Sequence, residues 1–203
     1  MLAFRQDVAV GPKNRGPAAK PDPDTELVAD LRTAFRWLAD RPDARYAADP
    51  TGWWADPGVL LGLGPALARP AAELHPTHVA GPASRGALLG ALVAVELGLG
   101  LIELRKDPEP ATDSDRWITA RTPPDYQDRN LKLGLRRDLL PPGSRVLFVD
   151  DWIDTGGQAT AARHIVEEAE STWCGASVIV DALTDARLRR DLRVFSIFRD
   201  RDL

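Results

Sequence analysis

"VLFVDDWIDTGGQATAARHIVEEAE", residues 146–170, changes character over a short span. An apolar run ends on two adjacent carboxylates, Asp150 and Asp151, a Thr-Gly-Gly turn follows, and a helical pattern begins. A run of branched apolar residues without polar alternation reads as a strand buried on both faces. The glycines and the helical pattern after them read as a turn feeding a helix N-terminus. Strand, turn and helix in that order make half of a βαβ unit, which argues for a parallel sheet.

This junction has a definite chemical capacity. The amides of Thr155, Gly156, Gly157 and Gln158 are donors without intrahelical partners at the positive end of a helix dipole, and the glycines let an anion reach the backbone. That is a cradle for one phosphate. Asp150 and Asp151 repel each other unless hydroxyl donors or a cation share them, and a ribose diol satisfies both. Phosphate on one side and diol on the other describe a ribose 5-phosphate site. Neither G-x-G-x-x-G nor G-x-x-x-x-G-K-[ST] occurs, so a dinucleotide or a nucleoside triphosphate is less well supported. The competing reading of the same residues is a plain strand end followed by a plain helix start.

Outward from this point the chain alternates. Strand patterns fall at 77–81, 99–105, 144–151, 176–183 and 193–198, with helical patterns at 86–98 and 156–170. The expected fold is α/β, a doubly wound, mostly parallel sheet, in which ligands bind beyond the carboxyl ends of the strands. Residues 1–23 mix Pro, Gly, Lys and Asp without apolar periodicity and read as a flexible arm ahead of one domain, 24–203. From Thr25 to Asp40, Leu27, Leu31, Phe35 and Leu38 recur at helical spacing. Residues 41–58 read as a loop-rich connector, and 57–74 as a second helix interrupted near Pro70. Residues 107–130 are rich in Pro, Asp and Arg, a length that indicates either a functional lid or disorder.

Composition narrows the partners. With 44% apolar and 28% charged residues, 203 residues suffice for one domain with a substantial core. A net charge of −4 supplies no field for a phosphate backbone, so the expected partner is a small molecule and not nucleic acid. Cys174 is the only cysteine, which excludes an internal disulfide framework and reads as a buried thiol in a reducing compartment. The N-terminal residues lack an export h-region and no apolar run reaches membrane-spanning length, so the expectation is a cytoplasmic protein without a membrane partner. His75, His78 and His164 show no mutual metal spacing, and His164 reads as structural. Trp53 and Trp54 read as core more readily than as a hood over a base, and Trp152 either stacks on a base or packs beneath the long loop.

At this point "VLFVDDWIDTGGQ" resembles the phosphoribosyl-pyrophosphate (PRPP) motif of the type I phosphoribosyltransferases. Upstream, "VAGPASRGALLGALVAVELGLGLIELRK" is similar to the segment of the adenine phosphoribosyltransferase branch that runs from a Glu-Ser-Arg-Gly pyrophosphate loop to an Arg-Lys pair. Together the matches span about residues 79 to 170.

The resemblance implies a site. Asp150 and Asp151 would take the ribose hydroxyls and meet Mg²⁺ indirectly, through ligand or water. Asp154, Thr155, Gly156, Gly157 and Gln158 would hold the 5-phosphate, and Ala83, Ser84, Arg85 and Gly86 the pyrophosphate, with a non-proline cis peptide between Ala83 and Ser84. Arg105 and Lys106 would neutralise the pyrophosphate further. Arg85, Asp154 and Tyr126 are the candidate catalytic residues, Tyr126 or Arg129 reaching inward from a lid at 107–130, under a small hood formed mainly by 25–75 with the C-terminal end. The implied reaction is Mg²⁺-dependent transfer of phosphoribose from PRPP to a purine-type base in a homodimeric enzyme. The alternatives are a non-catalytic PRPP-binding regulator and, lower in rank, a nucleotide hydrolase or pyrophosphokinase.

Three residues depart from the adenine pattern. Ala83 stands where an acid is usual, Gln158 where Thr is common, and Asp154 where a small residue is found. An acid before Thr-Gly is reminiscent of the 6-oxopurine enzymes, so adenine, a 6-oxopurine and a specialised base all stay open.

Overall fold

The computed structural model describes residues 23–39, 47–112, 114, 116–123 and 130–203. Its centre is a seven-stranded sheet. The strands β3 (His78–Pro82), β4 (Gly100–Lys106), β7 (Arg145–Ile153), β8 (Thr172–Asp181) and β9 (Val194–Arg199) run parallel in the order β4, β3, β7, β8, β9. β5 (Trp117–Arg121) and β6 (Lys132–Arg136) extend the β4 edge in antiparallel fashion. Helices α4 (Arg85–Leu97), α5 (Gly157–Glu168) and α6 (Ala186–Asp191) make the crossovers that parallel strands require.

Alternation along β7 explains why it is apolar throughout. Val146 and Phe148 join one core with Ala161, Ala162, Ile165 and Val166 of α5. Leu147 and Val149 join the other with Leu89 and Val93 of α4 and Val59 and Leu63 of α3 (Pro57–Ala68). A strand covered on both faces has no solvent side on which polar residues could sit. The expected doubly wound arrangement is therefore present.

Several elements differ from the sequence expectation, the short helix α6 and strand β6 among them. Helix α1 (Pro23–Ala34) stops six residues short of Asp40, because Arg36–Leu38 becomes a strand, β1, paired with β2 (Ala47–Asp49). The apolar periodicity misled because Phe35 lies beyond the helix yet packs on Trp53 of the connector, at 5.6 Å between ring centroids. The connector itself contains a short helix, α2 (Thr51–Ala55). Within 107–130, residues 117–121 are a strand, and Thr122 closes the hairpin by donating N–H to Leu131 O at 2.8 Å and accepting from Leu131 N at 3.0 Å.

Helix α1 meets the C-terminal residues on one side. Arg32 of α1 donates to Asp202 O at 3.2 Å and lies over the Phe198 ring of β9. Among the described residues no helix is long and apolar enough to cross a membrane.

Candidate functional site

β7 is an interior strand, flanked by β3 and β8, and its carboxyl end carries both aspartates. Asp150 is 6% and Asp151 5% exposed. Asp150 Oδ1 accepts from Asp151 N at 2.9 Å. Burial first, and then the neighbouring Asp151 charge, push the Asp150 carboxyl well above the usual carboxylate range, while the Lys106 ammonium pulls the other way. Asp151 Oδ2 lies 2.7 Å from Arg85 Nη1, a charge contact without an aligned hydrogen bond.

The turn after β7 is built as expected. Gly156, the residue ahead of α5, has φ +75°, a left-handed conformation that suits glycine, and it caps the helix with no side chain. Thr155 Oγ1 accepts from Gly157 N at 3.3 Å, while Asp154 and Thr155 face solvent. A hollow of about 130 Å³ opens between Asp150, Trp152 and residues 154–158. Gln158 is one of the residues lining it, and its Oε1 is buried without a hydrogen-bond donor among the described residues.

The second loop, residues 83–86, joins β3 to α4. The peptide between Ala83 and Ser84 is cis. Ala83 N donates to Leu104 O of β4 at 3.0 Å, and Ser84 precedes α4 without a side-chain cap. A Cβ on Gly86 would stand 2.4 Å from Pro82 Cδ and 2.9 Å from Asp150 Oδ1, so only glycine lets α4 start directly behind the carboxylate. Both α4 and α5 thus present their positive ends at the edge of the sheet where Asp150 and Asp151 sit.

The pair at the end of β4 divides. Lys106 is close enough for its charge to act on Asp150, whereas the Arg105 guanidinium sits over the Trp117 ring of β5, 5.9 Å from the centroid. Tyr126 and Arg129 lie outside the described residues. A larger hollow of about 420 Å³, bordered by Asp30, Asp49, Asp56 and Arg36, involves none of residues 150–158.

The tryptophans separate by role. Trp53 is fully buried and donates Nε1 to Leu31 O at 2.8 Å, which makes it core, and Trp54 stands edge-on to it. Trp152 is half-buried and stacks on Phe35, with centroids 6.3 Å apart and planes 26° apart. Trp37 also meets Phe35, edge-on at 5.1 Å. Phe35 is a site-adjacent residue that sequence reasoning assigned to a helix face. Asp181, at the corresponding end of β8, was also missed. It is 2% exposed and paired with Arg189 and Arg199. Its signal was a lone carboxylate closing the apolar run "VIVD", an echo of "FVDD" one strand earlier.

Buried carboxylates, two converging helix starts, and Arg85 and Lys106 on the α4 side suit a ligand with hydroxyls in the middle and anions at both ends. Known proteins agree with this geometry. No family model matches the chain. It is 31% identical over 160 residues to an adenine phosphoribosyltransferase of Synechococcus, covering 75% of this chain and 86% of the relative. It is 34% identical over 165 residues to that of Streptomyces coelicolor, covering 80% and 85%. Among solved structures, the Rhodothermus marinus adenine phosphoribosyltransferase superposes with a TM-score of 0.71 at 28% identity, covering 86% of this chain and 99% of that one. The Saccharomyces cerevisiae enzyme, solved with an imino-altritol bisphosphate and adenine, superposes at 0.69 with 25% identity, covering 85% and 99%. The two motifs, the fold that carries them and these relatives lead to one assignment: the chain belongs to the adenine phosphoribosyltransferase family of type I phosphoribosyltransferases.

Proposed function

We propose that the protein transfers the 5-phosphoribosyl group of PRPP to a purine base, adenine first among them, releasing pyrophosphate and forming a nucleoside 5′-monophosphate. The observation that carries this reading is the convergence of the Arg85 and Asp151 pair, Asp150 and the starts of α4 and α5 at one end of β7. Membership of an enzyme family favours catalysis over the regulatory alternative. The adenine bound by the yeast relative supports adenine as the base.

In this mechanism the C1–O bond to pyrophosphate breaks with its electron pair leaving on pyrophosphate, and a base nitrogen bonds to C1. Positive charge develops on the ribose ring between these events, as in glycoside chemistry. Asp150 and Asp151 accept the ribose hydroxyls and hold the ring in place. The 154–158 turn receives the 5-phosphate through backbone amides. Arg85, with the amides after Ala83, receives the leaving pyrophosphate, and Lys106 adds charge to that end. Asp154, exposed at the mouth, takes the proton shed by the base nitrogen. Trp152, backed by Phe35, offers an aromatic wall to the base. Asp150 and Asp151 fit Mg²⁺, a hard cation that takes most of its ligands from phosphates and water and needs only one or two carboxylates. When bound, it would lower the charge on the departing pyrophosphate.

The family resemblance also implies a homodimer. Leu61 of α3 and Leu88 and Val95 of α4, which are 80%, 60% and 82% exposed, provide apolar surface suited to it. The single buried thiol, Cys174, suits a cytoplasmic setting. The test is pyrophosphate release from PRPP and Mg²⁺ with adenine, hypoxanthine and guanine in turn. Release with adenine is the expected result; PRPP binding without release for any base would return the regulatory reading.

A further inference from the structure

The turn between β7 and α5 is backed by a segment outside both motifs. A Cβ on Gly156 would come within 2.8 Å of Leu188 Cδ2 and 3.2 Å of Leu183 Cδ2, so both leucines press on the left-handed glycine at the start of α5. Those leucines are held by a buried charge. Asp181 Oδ1 accepts from Leu183 N at 2.9 Å, and Asp181 Oδ2 accepts from Arg189 Nε at 2.7 Å. Arg199 Nη1 lies 3.1 Å from the same oxygen, and Arg189 also donates to Leu183 O. One carboxylate therefore ties down both ends of the 183–189 turn. Arg163 of α5 donates to Asp191 O at 3.0 Å, which holds the far end of α6 against α5.

A backbone cradle binds an anion well only when its amides already point at it, and that orientation here is set by the φ of Gly156. The contacts on Gly156 come from Leu183 and Leu188, not from the β3, α4 side of the site. We propose that Asp181, acting through Arg189 and Leu188, is a positioning residue for the 154–158 turn, so that it governs affinity for the 5-phosphate end of the ligand and leaves the pyrophosphate end unaffected. This rests on the assignment of that turn to the 5-phosphate.

The test is calorimetric titration of the full chain with ribose 5-phosphate and, separately, with inorganic pyrophosphate. Leu188 is half-buried at the margin of the core, so its truncation removes fewer contacts than that of a fully buried leucine. Leu188→Ala is expected to weaken ribose 5-phosphate binding about tenfold, a loss of about 1.4 kcal/mol, with pyrophosphate affinity unchanged. Leu188→Met is expected to restore most of the loss, and Asp181→Asn to reproduce the Leu188→Ala pattern. Equal loss for both ligands, or undiminished ribose 5-phosphate binding in Leu188→Ala, would overturn the proposal. A wild-type chain that binds pyrophosphate but not ribose 5-phosphate would overturn the phosphate assignment, and this proposal with it, before any variant is made.

Discussion

Arg85 Nη1 lies 2.7 Å from Asp151 Oδ2, so the first residue of α4 and the second carboxylate of β7 form one electrostatic unit. The two partners are unequal. Asp151 is buried and has nowhere to go, whereas the Arg85 side chain is half exposed and can turn toward an arriving anion. The pair is thus suited to exchange: on the proposed function, a leaving pyrophosphate would compete with Asp151 for the guanidinium, and ribose hydroxyls would replace the guanidinium at Asp151.

Arg85→Ala should therefore depress turnover by about 10²-fold or more, the range seen when a donor to developing negative charge is removed. Asp151 is buried, so removing its guanidinium partner leaves a carboxylate uncompensated beside Asp150, and the melting temperature of the ligand-free variant should fall while the fold is kept. Steady-state kinetics with a thermal melt checks both, and normal turnover would remove Arg85 from the site.

Asp150→Asn should separate stability from function. The folded carboxyl titrates above its ordinary value of 3.8, so its contribution to stability is complete below that value and is lost as pH rises through the raised one. The ligand-free wild type should melt at falling temperature across that rise, and the Asn variant should lack the fall while binding PRPP more weakly. Melting curves from acid to neutral pH read the first effect and titration reads the second.

Gly86→Ala tests the packing behind the carboxylates. The added methyl would stand 2.4 Å from Pro82 Cδ and 2.9 Å from Asp150 Oδ1. Overpacking of this kind costs about 1–3 kcal/mol, and Asp150 would be displaced with it. Gly100→Ala, where a Cβ meets nothing within 4 Å, should change stability by less than about 0.5 kcal/mol. Denaturant titration of both variants is the measurement, and equal effects would refute the close approach at Gly86.

Cys174 should be chemically quiet. It is 2% exposed, and burial pushes its thiol up. The protonated thiol is a poor nucleophile, so a disulfide reagent at mild alkaline pH should label the native protein slowly and the denatured protein at once. Rapid native labelling would contradict the burial.

The parts of this fold that were legible are those in which local chemistry and global position agree. The residues from Val146 to Glu168 announce strand, paired carboxylates, turn and helix in sequence, because each piece requires a distinct residue type at a fixed place. The same holds for the Ala83 to Gly86 loop. The hairpin of β5 and β6 was hidden because "WITAR" and "KLGLR" are five residues each and sit beside Pro, Asp and Arg. The end of α1 was hidden because Phe35 continues the apolar pattern after the helix has stopped, drawn to Trp53 and Trp152 by tertiary contacts. Asp181 escaped notice because a single acid at a strand end acquires meaning only when Arg189 and Arg199, distant in the chain, arrive beside it.

Gly81 has a wider consequence. A Cβ there would fall 2.2 Å from Gly86 O, so β3 and α4 touch backbone to backbone across the loop. The path of that loop is dictated by two glycines five positions apart and by the bond from Ala83 N to Leu104 O. The side chain at position 83 is not part of that scaffold, so its identity does not set the course of the loop. Ala83→Glu should therefore leave the corner in place, whereas a side chain at Gly81 or Gly86 should move it.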